Sequence, residues 1–304
     1  MASLGAPASG ARPSAPPGLT GTDALLVGMI VIWGVNYIVL KAVLLDVHPV
    51  AMNAVRFSLA AASVAAIAVV RGSPRPPREA LPRLLLMGLL GNTLYQFGFI
   101  EGVALTRAGN AALIMAAVPV QTAVLSHFRG HERLRRRDVL GLAVSTAGIA
   151  TIVLGSGAEV AFGPTMKGDL LVLAATVLWS VYTVGSKPLA DRFGPITATA
   201  WTMGFGAVPL VLVSLPAALA EPWGRVRPAT WAGIVFSALG ALVIAYLIWY
   251  RGVQRIGPSR TALYSNVTPL VAMLAAWVAL GETPTAWQVA GAAGIFTGIY
   301  LTRT

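Results

Sequence analysis

Long apolar segments alternate with short polar ones along almost the whole chain. Each apolar run holds about 20 residues, the length that a helix needs to cross roughly 30 Å of hydrocarbon. The runs lie at 22–43, 50–70, 81–102, 107–128, 137–155, 168–187, 195–219, 229–252, 257–280 and 284–303. This pattern predicts an all-α integral membrane protein with ten transmembrane helices.

The second half of the chain repeats residues of the first at matching positions. Asp23, Leu25, Trp33, Lys41 and Pro49 recur 146 residues later as Asp169, Leu171, Trp179, Lys187 and Pro195. Gly102, Ala112, Leu113, Pro119, Glu132, Gly141 and Gly148 recur 150 residues later as Gly252, Ala262, Leu263, Pro269, Glu282, Gly291 and Gly298. Because five spans per copy is an odd number, the second copy is expected to cross the membrane in the opposite direction. Two inverted five-helix repeats around a central cavity predict a transporter that works by alternating access.

These boundaries divide the chain into four parts. Residues 1–20 are rich in Ala, Pro, Gly and Ser and are expected to form a disordered tail without the features of a signal peptide. The first repeat is expected at 21–155, a linker at 156–167 and the second repeat at 168–304.

Composition and charge indicate a membrane location and an orientation. Apolar residues make up 56% of the chain and charged residues 11%, and the net charge of +11 is spread between apolar runs. Positive charge in that position orients membrane proteins, so nucleic acid is not an expected partner. The Arg-rich segments fall on one side, which places both termini in the cytoplasm. Arg outnumbers Lys by 19 to 3, as is typical of GC-rich bacterial genomes, so the expected location is the bacterial inner membrane.

The repeated residues resemble a known family. Trp33-Gly34 followed by Lys41 is similar to the first-helix motif of the drug/metabolite transporter superfamily in its EamA-domain branch. The resemblance implies ten helices around a central cavity and export of small metabolites or drugs. Within the superfamily, the YddG-type exporters of aromatic amino acids are the first comparison, because the central helices are rich in Trp and Tyr. Ser180 departs from the motif at the position of Gly34, which predicts a looser helix contact there.

Polar and aromatic side chains at helical spacing indicate which groups face one cavity, since positions three, four and seven apart share a helix face. Polar groups at membrane depth tend to face the bundle or a wet cavity, although hydrogen bonding between helices is the alternative role for each of them. The residues expected to bind substrate are Trp33, Asn36, Tyr37, Tyr95, Gln96, Asn110, Gln121, Trp179, Thr183, Tyr246, Tyr264 and Asn266.

A second group of residues is expected to take part in gating. Arg56 lies about seven residues into the second span, and a contact with Glu101 and Lys41 would help to close the outer gate. A proline within a helix removes a backbone donor and favours a kink. The complete set of expected gating residues is Lys41, Arg56, Glu101, Pro119, Lys187 and Pro269.

The expected substrates are aromatic or other neutral amino acids, moving without a dedicated coupling ion because no carboxylate is predicted at mid-membrane. Proton-coupled drug or metabolite efflux is an alternative, and so is nucleotide-sugar or phosphorylated-metabolite exchange, which would call for a cationic cavity. His127 and His131 lack a third ligand, so no metal is expected, and no cofactor is either. A membrane enzyme would need a catalytic constellation that the sequence does not offer. Besides substrate, the expected partner is membrane lipid; a monomer is expected to suffice, and a dimer remains open.

Overall fold

The computed structural model describes residues 20–106, 114–155, 166–268, 270–271, 274 and 285–303. Every regular element in these ranges is helical, and they contain no strand. The α-helices are α1 (Gly21–Val43), α2 (Pro49–Val70), α3 (Leu81–Gly88), α4 (Tyr95–Leu105), α5 (Ala117–Phe128), α6 (Arg136–Gly155), α7 (Met166–Ala220), α8 (Pro228–Phe236), α9 (Ala245–Ile256), α10 (Pro258–Tyr264) and α11 (Ala286–Arg303).

Local sequence explains where α1 and α2 begin. The Thr20 hydroxyl accepts a hydrogen bond from the Asp23 backbone N–H, while the Asp23 carboxylate accepts one from the Thr20 backbone N–H at 2.7 Å. This reciprocal capping box satisfies donors that the first turn of a helix leaves free. At α2, the His48 side chain accepts from the Val50 N–H, and Pro49 occupies the first helical position, where its missing N–H has no consequence.

Two of the predicted spans contain a π-helical segment that the sequence did not reveal. Leu89–Leu94 joins α3 to α4, and Ser237–Ile244 joins α8 to α9. The α and π segments therefore form two continuous rods, Leu81–Leu105 and Pro228–Ile256. Both are longer than the expected spans 81–102 and 229–252. The two π segments occupy corresponding positions of the two repeats. Such i→i+5 segments are rare and occur frequently at functional sites.

Helix α7 holds the sixth and seventh predicted spans in one run, with a break at Gly194. Gly194 has φ 79° and ψ 162°, a conformation that favours glycine because it has no Cβ. The helix before it continues to Phe193, beyond the expected end at 187, and Pro195 begins the helix after it. The sequence marked the start of the second helix correctly but not the end of the first, because Pro188 did not end the helix.

The fourth and ninth predicted spans are both interrupted. A turn at Ala116 precedes α5, three residues before Pro119. This fits the predicted kink, because a proline ring clashes with the preceding turn. In the second repeat, α10 ends at Tyr264 and a 3₁₀ turn follows at Ser265–Val267. Pro269 lies outside the described residues.

Glycines of α6 and α11 bring these two helices into backbone contact. A Cβ added at Gly141 would lie 2.6 Å from the carbonyl oxygen of Gly298, and one added at Gly148 would lie 2.6 Å from that of Gly291. Early residues of α6 therefore meet late residues of α11, so the helices run antiparallel. Small residues permit such an approach.

The two helices that carry the repeated Trp, α1 and α7, each contact another helix at corresponding positions. A Cβ added at Gly34 would lie 2.5 Å from Val271 Cγ1, and the corresponding Ser180 hydroxyl lies 3.2 Å from Gln121 Oε1. Residues 271 and 121 are themselves related by the 150-residue spacing. Ser180 therefore keeps the corresponding helix contact, as a hydrogen bond in place of the close approach of a glycine.

The distribution of polar and apolar side chains is that of a protein surrounded by lipid. Val208, Leu212 and Val213 on α7 are each more than 60% exposed, whereas Asn53 and Asn92 are buried. Among the described helices, Pro49–Val70, Met166–Ala220 and the rod Pro228–Ile256 are long and apolar enough to cross a membrane. The apolar surface and these helices indicate a membrane protein.

Candidate functional site

Aromatic side chains from four helices, α1, α4, α7 and α9, converge around Trp179. We call these rings the central aromatic cluster: Trp33, Tyr95, Trp179, Tyr182, Tyr246, Trp249 and Tyr250. The ring centroid of Trp179 lies 6.2 Å from that of Trp33, 4.8 Å from Tyr95, 5.3 Å from Tyr182, 5.5 Å from Tyr246 and 5.3 Å from Trp249. Tyr250 joins through Tyr182 at 5.9 Å. These separations are those of interacting aromatic pairs, and the faces of Trp and Tyr suit planar or cationic ligands.

The π segments help to position the cluster. The Trp33 indole N–H donates to the carbonyl oxygen of Ala241 at 3.0 Å, within Ser237–Ile244. This bond joins α1 of the first half to the π segment of the second half. On the other π segment, a Cβ at Gly91 would collide with the Tyr182 ring, so only glycine allows the ring to approach. Helix irregularity and glycine together let the rings of different helices meet.

Arg56 and its hydrogen-bond partners form a polar group next to these rings. Its guanidinium donates to Ser237 Oγ at 3.2 Å and to Gln96 Oε1 at 3.0 Å, and it also lies over the Phe57 ring. Gln96 Nε2 in turn donates to the Tyr246 hydroxyl at 3.3 Å. Arg56 is 4% exposed, so this cation is held inside the helix bundle.

The contact expected between Arg56 and Glu101 is absent, which corrects that part of the sequence analysis. Glu101 is exposed on α4, whereas the partner of Arg56 on the same helix is Gln96. Gln96 lies five residues before Glu101, about 7 Å deeper at the rise of an α-helix. The Arg56 side chain therefore forms its hydrogen bonds inside the bundle, with Ser237 and Gln96. The Lys41 side chain lies outside the described residues.

The other expected substrate-binding residues divide into three groups. Asn36 and Thr183 are buried near the cluster helices, and each has a side-chain oxygen without a hydrogen-bond partner. Three others bond between helices: Gln121 donates to Thr176, Asn266 donates to Ser145, and Tyr264 donates to Asp23 in the first turn of α1. Such bonds match the alternative role of holding helices together. Asn110 and the Tyr37 side chain lie outside the described residues.

Lys187 and Pro119 complete the set of gating candidates. Lys187 Nζ lies 2.7 Å from an Asp191 carboxylate oxygen and contacts the Gln254 carbonyl oxygen, which links α7 to α9. Pro119 is buried in the first turn of α5. A gating role for any of these residues remains a prediction.

Four residues at this site were not predicted from the sequence: Tyr182, Trp249, Tyr250 and Ser237. A signal existed for the three aromatic residues. Tyr182 follows Trp179 by three positions, and Trp249 and Tyr250 follow Tyr246 by three and four, so they share faces with residues that were chosen. No comparable signal existed for Ser237, because its place depends on the π segment that it begins.

Two polar groups lie beyond the ends of the central helices. At one end, Arg227 donates to the Asp46 carboxylate at 2.8 Å, and Thr230 also bonds to it. The hydrogen bonds from Arg227 and Thr230 hold the pKa of Asp46 below its usual value. At the other end, Glu132 accepts from the Ser259 backbone N–H at 3.2 Å. Burial, with the nearby charges of Lys187 and Arg83, lowers the pKa of the neighbouring His131. Each group ties residues of the first half of the chain to residues of the second.

Comparisons with known proteins agree with this architecture. The EamA-like transporter family matches residues 21–154 and again residues 166–304. The chain is 27% identical over 278 residues to the uncharacterized transporter YyaM of Bacillus subtilis, which covers 90% of this chain and 91% of that protein.

Two further relatives have names that include a substrate. One, from Salmonella typhimurium, is named "Probable amino-acid metabolite efflux pump"; it is 30% identical, covering 92% of this chain and 93% of that protein. The other, from Streptantibioticus cattleyicolor, is named "Probable terminal-alkyne amino-acid exporter"; it is 28% identical, covering 81% of each chain.

A solved crystal structure has the same fold. It superposes with a TM-score of 0.78 at 24% identity and covers 92% of this chain and 96% of that one. The two family matches together span nearly the whole sequence, and the relatives are transporters and not enzymes. The chain belongs to the EamA-like transporter family of the drug/metabolite transporter superfamily, and it is a membrane transporter.

Proposed function

We propose that this transporter exports amino acids, either aromatic or other neutral ones, out of the bacterial cytoplasm. The observation that carries the proposal is the central aromatic cluster. Its rings, five of them buried and two partly buried, lie between helices of both halves of the chain, where a small ligand would be enclosed. Trp and Tyr offer faces that attract an ammonium group and stack on a planar side chain. The names of the Salmonella and Streptantibioticus relatives favour the same substrate class.

The proposed mechanism is alternating access between two inverted five-helix repeats, ten spans in total. Support comes from the reciprocal contacts of the glycines. Gly141 meets Gly298 and Gly148 meets Gly291, although the 150-residue spacing relates 141 to 291 and 148 to 298. Corresponding helices that pair in this antiparallel way are expected of a two-fold axis in the membrane plane. That symmetry gives two packings of similar energy, one open to each side.

The proposed orientation, in the bacterial inner membrane, has both termini in the cytoplasm, and the absence of native cysteine allows a direct test. Gly21 and Lys167 are corresponding residues of the two repeats, and both are exposed. In right-side-out vesicles, a membrane-impermeant maleimide should label Lys167→Cys and should reach Gly21→Cys only after permeabilisation. Labelling of both cysteines from the same side would refute the inverted arrangement.

We propose further that substrate moves down its own gradient without a coupling ion. Among the described residues, the one buried carboxylate is Asp23, and it lies in the first turn of α1 and not midway along a span. Buried acids usually carry protons in coupled transporters. Efflux from proteoliposomes should therefore be unchanged by a protonophore. Collapse of concentrative efflux under that treatment would favour the proton-coupled alternative.

The substrate class is tested by counterflow of labelled amino acids and drugs in liposomes. L-Phenylalanine should exchange, and Trp179→Ala should raise its half-saturation concentration by roughly two- to tenfold, the worth of one ring contact with the substrate. L-Alanine should be affected less, because it has no ring to stack. Trp287→Ala is the matched control, since Trp287 is 69% exposed on α11. Failure of every amino acid in the panel to exchange would exclude this substrate class.

A further inference from the structure

Arg56 is a buried cation whose partners in this structure are all neutral. Its two hydrogen bonds go to the Ser237 hydroxyl and the Gln96 amide oxygen, and its Nε has no partner. A guanidinium has five N–H donors, so three remain beyond these two bonds. Within the described ranges no carboxylate pairs with Arg56. Burying a charge without a counter-charge is expensive, and proteins rarely retain one without a function.

The depth of this cation suits a ligand at the middle of the bundle. Arg56 lies seven residues from the start of α2, Ser237 nine from the start of α8, and Gln96 nine from the end of α4. At about 1.5 Å per residue, all three are roughly 10–14 Å from the same end of the helices. This depth is too great for Arg56 to serve as a charge at the membrane surface.

Gln96 connects this cation to the central aromatic cluster. Its amide oxygen accepts from Arg56, while its amide nitrogen donates to the hydroxyl of Tyr246, whose ring lies 5.5 Å from that of Trp179. A ligand spanning this distance would meet a cation at one end and aromatic faces at the other. The arrangement matches a molecule with a carboxylate next to an apolar or aromatic side chain.

The second repeat shows that the architecture does not require an arginine here. The position corresponding to Arg56 is Thr202, which is also fully buried. Its hydroxyl bonds to the Ala198 carbonyl and lies 3.0 Å from the Tyr250 hydroxyl. A small neutral residue therefore fills the same place in the other half of the fold. The charge is a feature of one half only, as expected for a residue that binds a ligand.

We propose that Arg56 binds the carboxylate of the transported amino acid, with Gln96 as the residue that positions it. This inference rests on the proposed function and names the group that recognises the substrate's acid end. A carboxylate can accept two parallel N–H bonds from one guanidinium. The bound substrate then supplies the counter-charge that the protein lacks, which favours ligands with a free carboxylate over neutral analogues.

The test compares an acid with its amide on matched variants. L-Phenylalanine and L-phenylalaninamide share ring and ammonium group and differ at the carboxylate. Counterflow inhibition and ligand-induced thermal stabilisation are measured on the wild type, Arg56→Gln, Arg56→Met and Arg71→Gln. Arg71 is the control, because it is exposed at the end of the same helix. Unfolding temperatures without ligand are recorded for every variant.

The wild type and Arg71→Gln should prefer the acid to the amide by about 10- to 100-fold, the usual range for a hydrogen-bonded charge. Arg56→Gln and Arg56→Met should lose that preference by weakening acid binding, with amide binding unchanged. Without ligand, these two variants should be at least as stable as the wild type, because an uncompensated buried charge has been removed. A purely structural arginine would give the opposite stability result.

Three outcomes would overturn the inference. Equal recognition of acid and amide by the wild type would remove the need for a carboxylate site. An intact preference in Arg56→Gln would assign that site to another residue. Failure of both Arg56 variants to fold would make Arg56 a structural residue. A wild type that exchanges neither L-phenylalanine nor any other amino acid refutes the proposed function itself, whereas exchange with an unchanged preference refutes only the role of Arg56.

Discussion

The contact between α6 and α11 gives the sharpest stability prediction, through the substitution Gly148→Ala. The added Cβ would lie 2.6 Å from the Gly291 carbonyl oxygen and 2.9 Å from the Ile295 backbone nitrogen, whereas ordinary contacts begin at 3.4 Å. Both neighbours are backbone atoms and cannot rotate away as a flexible side chain would. The two helices must therefore separate along this interface, which loosens the packing on both sides of it.

Two opposing effects set the magnitude. Replacing glycine by alanine within a helix stabilises by about 1 kcal/mol through backbone entropy. Forcing extra volume into a packed contact costs about 1–3 kcal/mol. Gly28→Ala in α1 isolates the first effect, because nothing lies within 4 Å of a Cβ there. Gly148→Ala should consequently be about 1–3 kcal/mol less stable than Gly28→Ala. Gly141→Ala should behave like Gly148→Ala, because it forms the reciprocal contact.

The measurement is thermal unfolding in detergent, followed by tryptophan fluorescence at a fixed heating rate so that irreversible steps affect all variants alike. The expected gap corresponds to roughly 2–12 °C in apparent Tm. If Gly148→Ala unfolds at the same temperature as Gly28→Ala or above it, the close backbone approach is not present in the protein, and it no longer supports the inverted pairing.

Two further predictions concern the ends of the bundle. Because Arg227 lowers the Asp46 pKa below its ordinary 3.8, the pair contributes stability above that pH and loses it as the pH falls through the folded-state pKa. The Tm difference between the wild type and Asp46→Asn should stay constant from about pH 8 to 5 and shrink only below about pH 4; a difference that vanishes near neutral pH would contradict this. His131 has a pKa below its ordinary 6.5, first through burial and then through Lys187, so it should be neutral at pH 7. Lys187→Gln should raise that pKa in hydrogen exchange of the imidazole C2 proton by mass spectrometry, with Arg129→Gln as control; an unchanged value would exclude the proposed charge effect.

The sequence alone determined the class of protein and the family. Apolar runs of membrane-spanning length are local properties, since each helix must satisfy its own backbone hydrogen bonds in lipid. The recurrence of Trp33 as Trp179 and of Gly141 as Gly291 required no structure either. The sequence also proposed Trp33, Tyr95, Trp179 and Tyr246 as aromatic residues of one region, and in the structure the other three rings lie within 6.2 Å of the Trp179 ring.

Only the tertiary structure decided which of the polar groups meet. Asn266 and Gln121 have the same character in the sequence as Gln96, yet they bond to Ser145 and Thr176 on neighbouring helices, while Gln96 joins Arg56 to the aromatic rings. Helical spacing fixes the face on which a side chain lies, but its partner depends on the rotation and depth of the adjacent helix. A π segment changes the rotation and the depth of the helix that follows it by about one residue. No pattern of polar and apolar residues encodes that change.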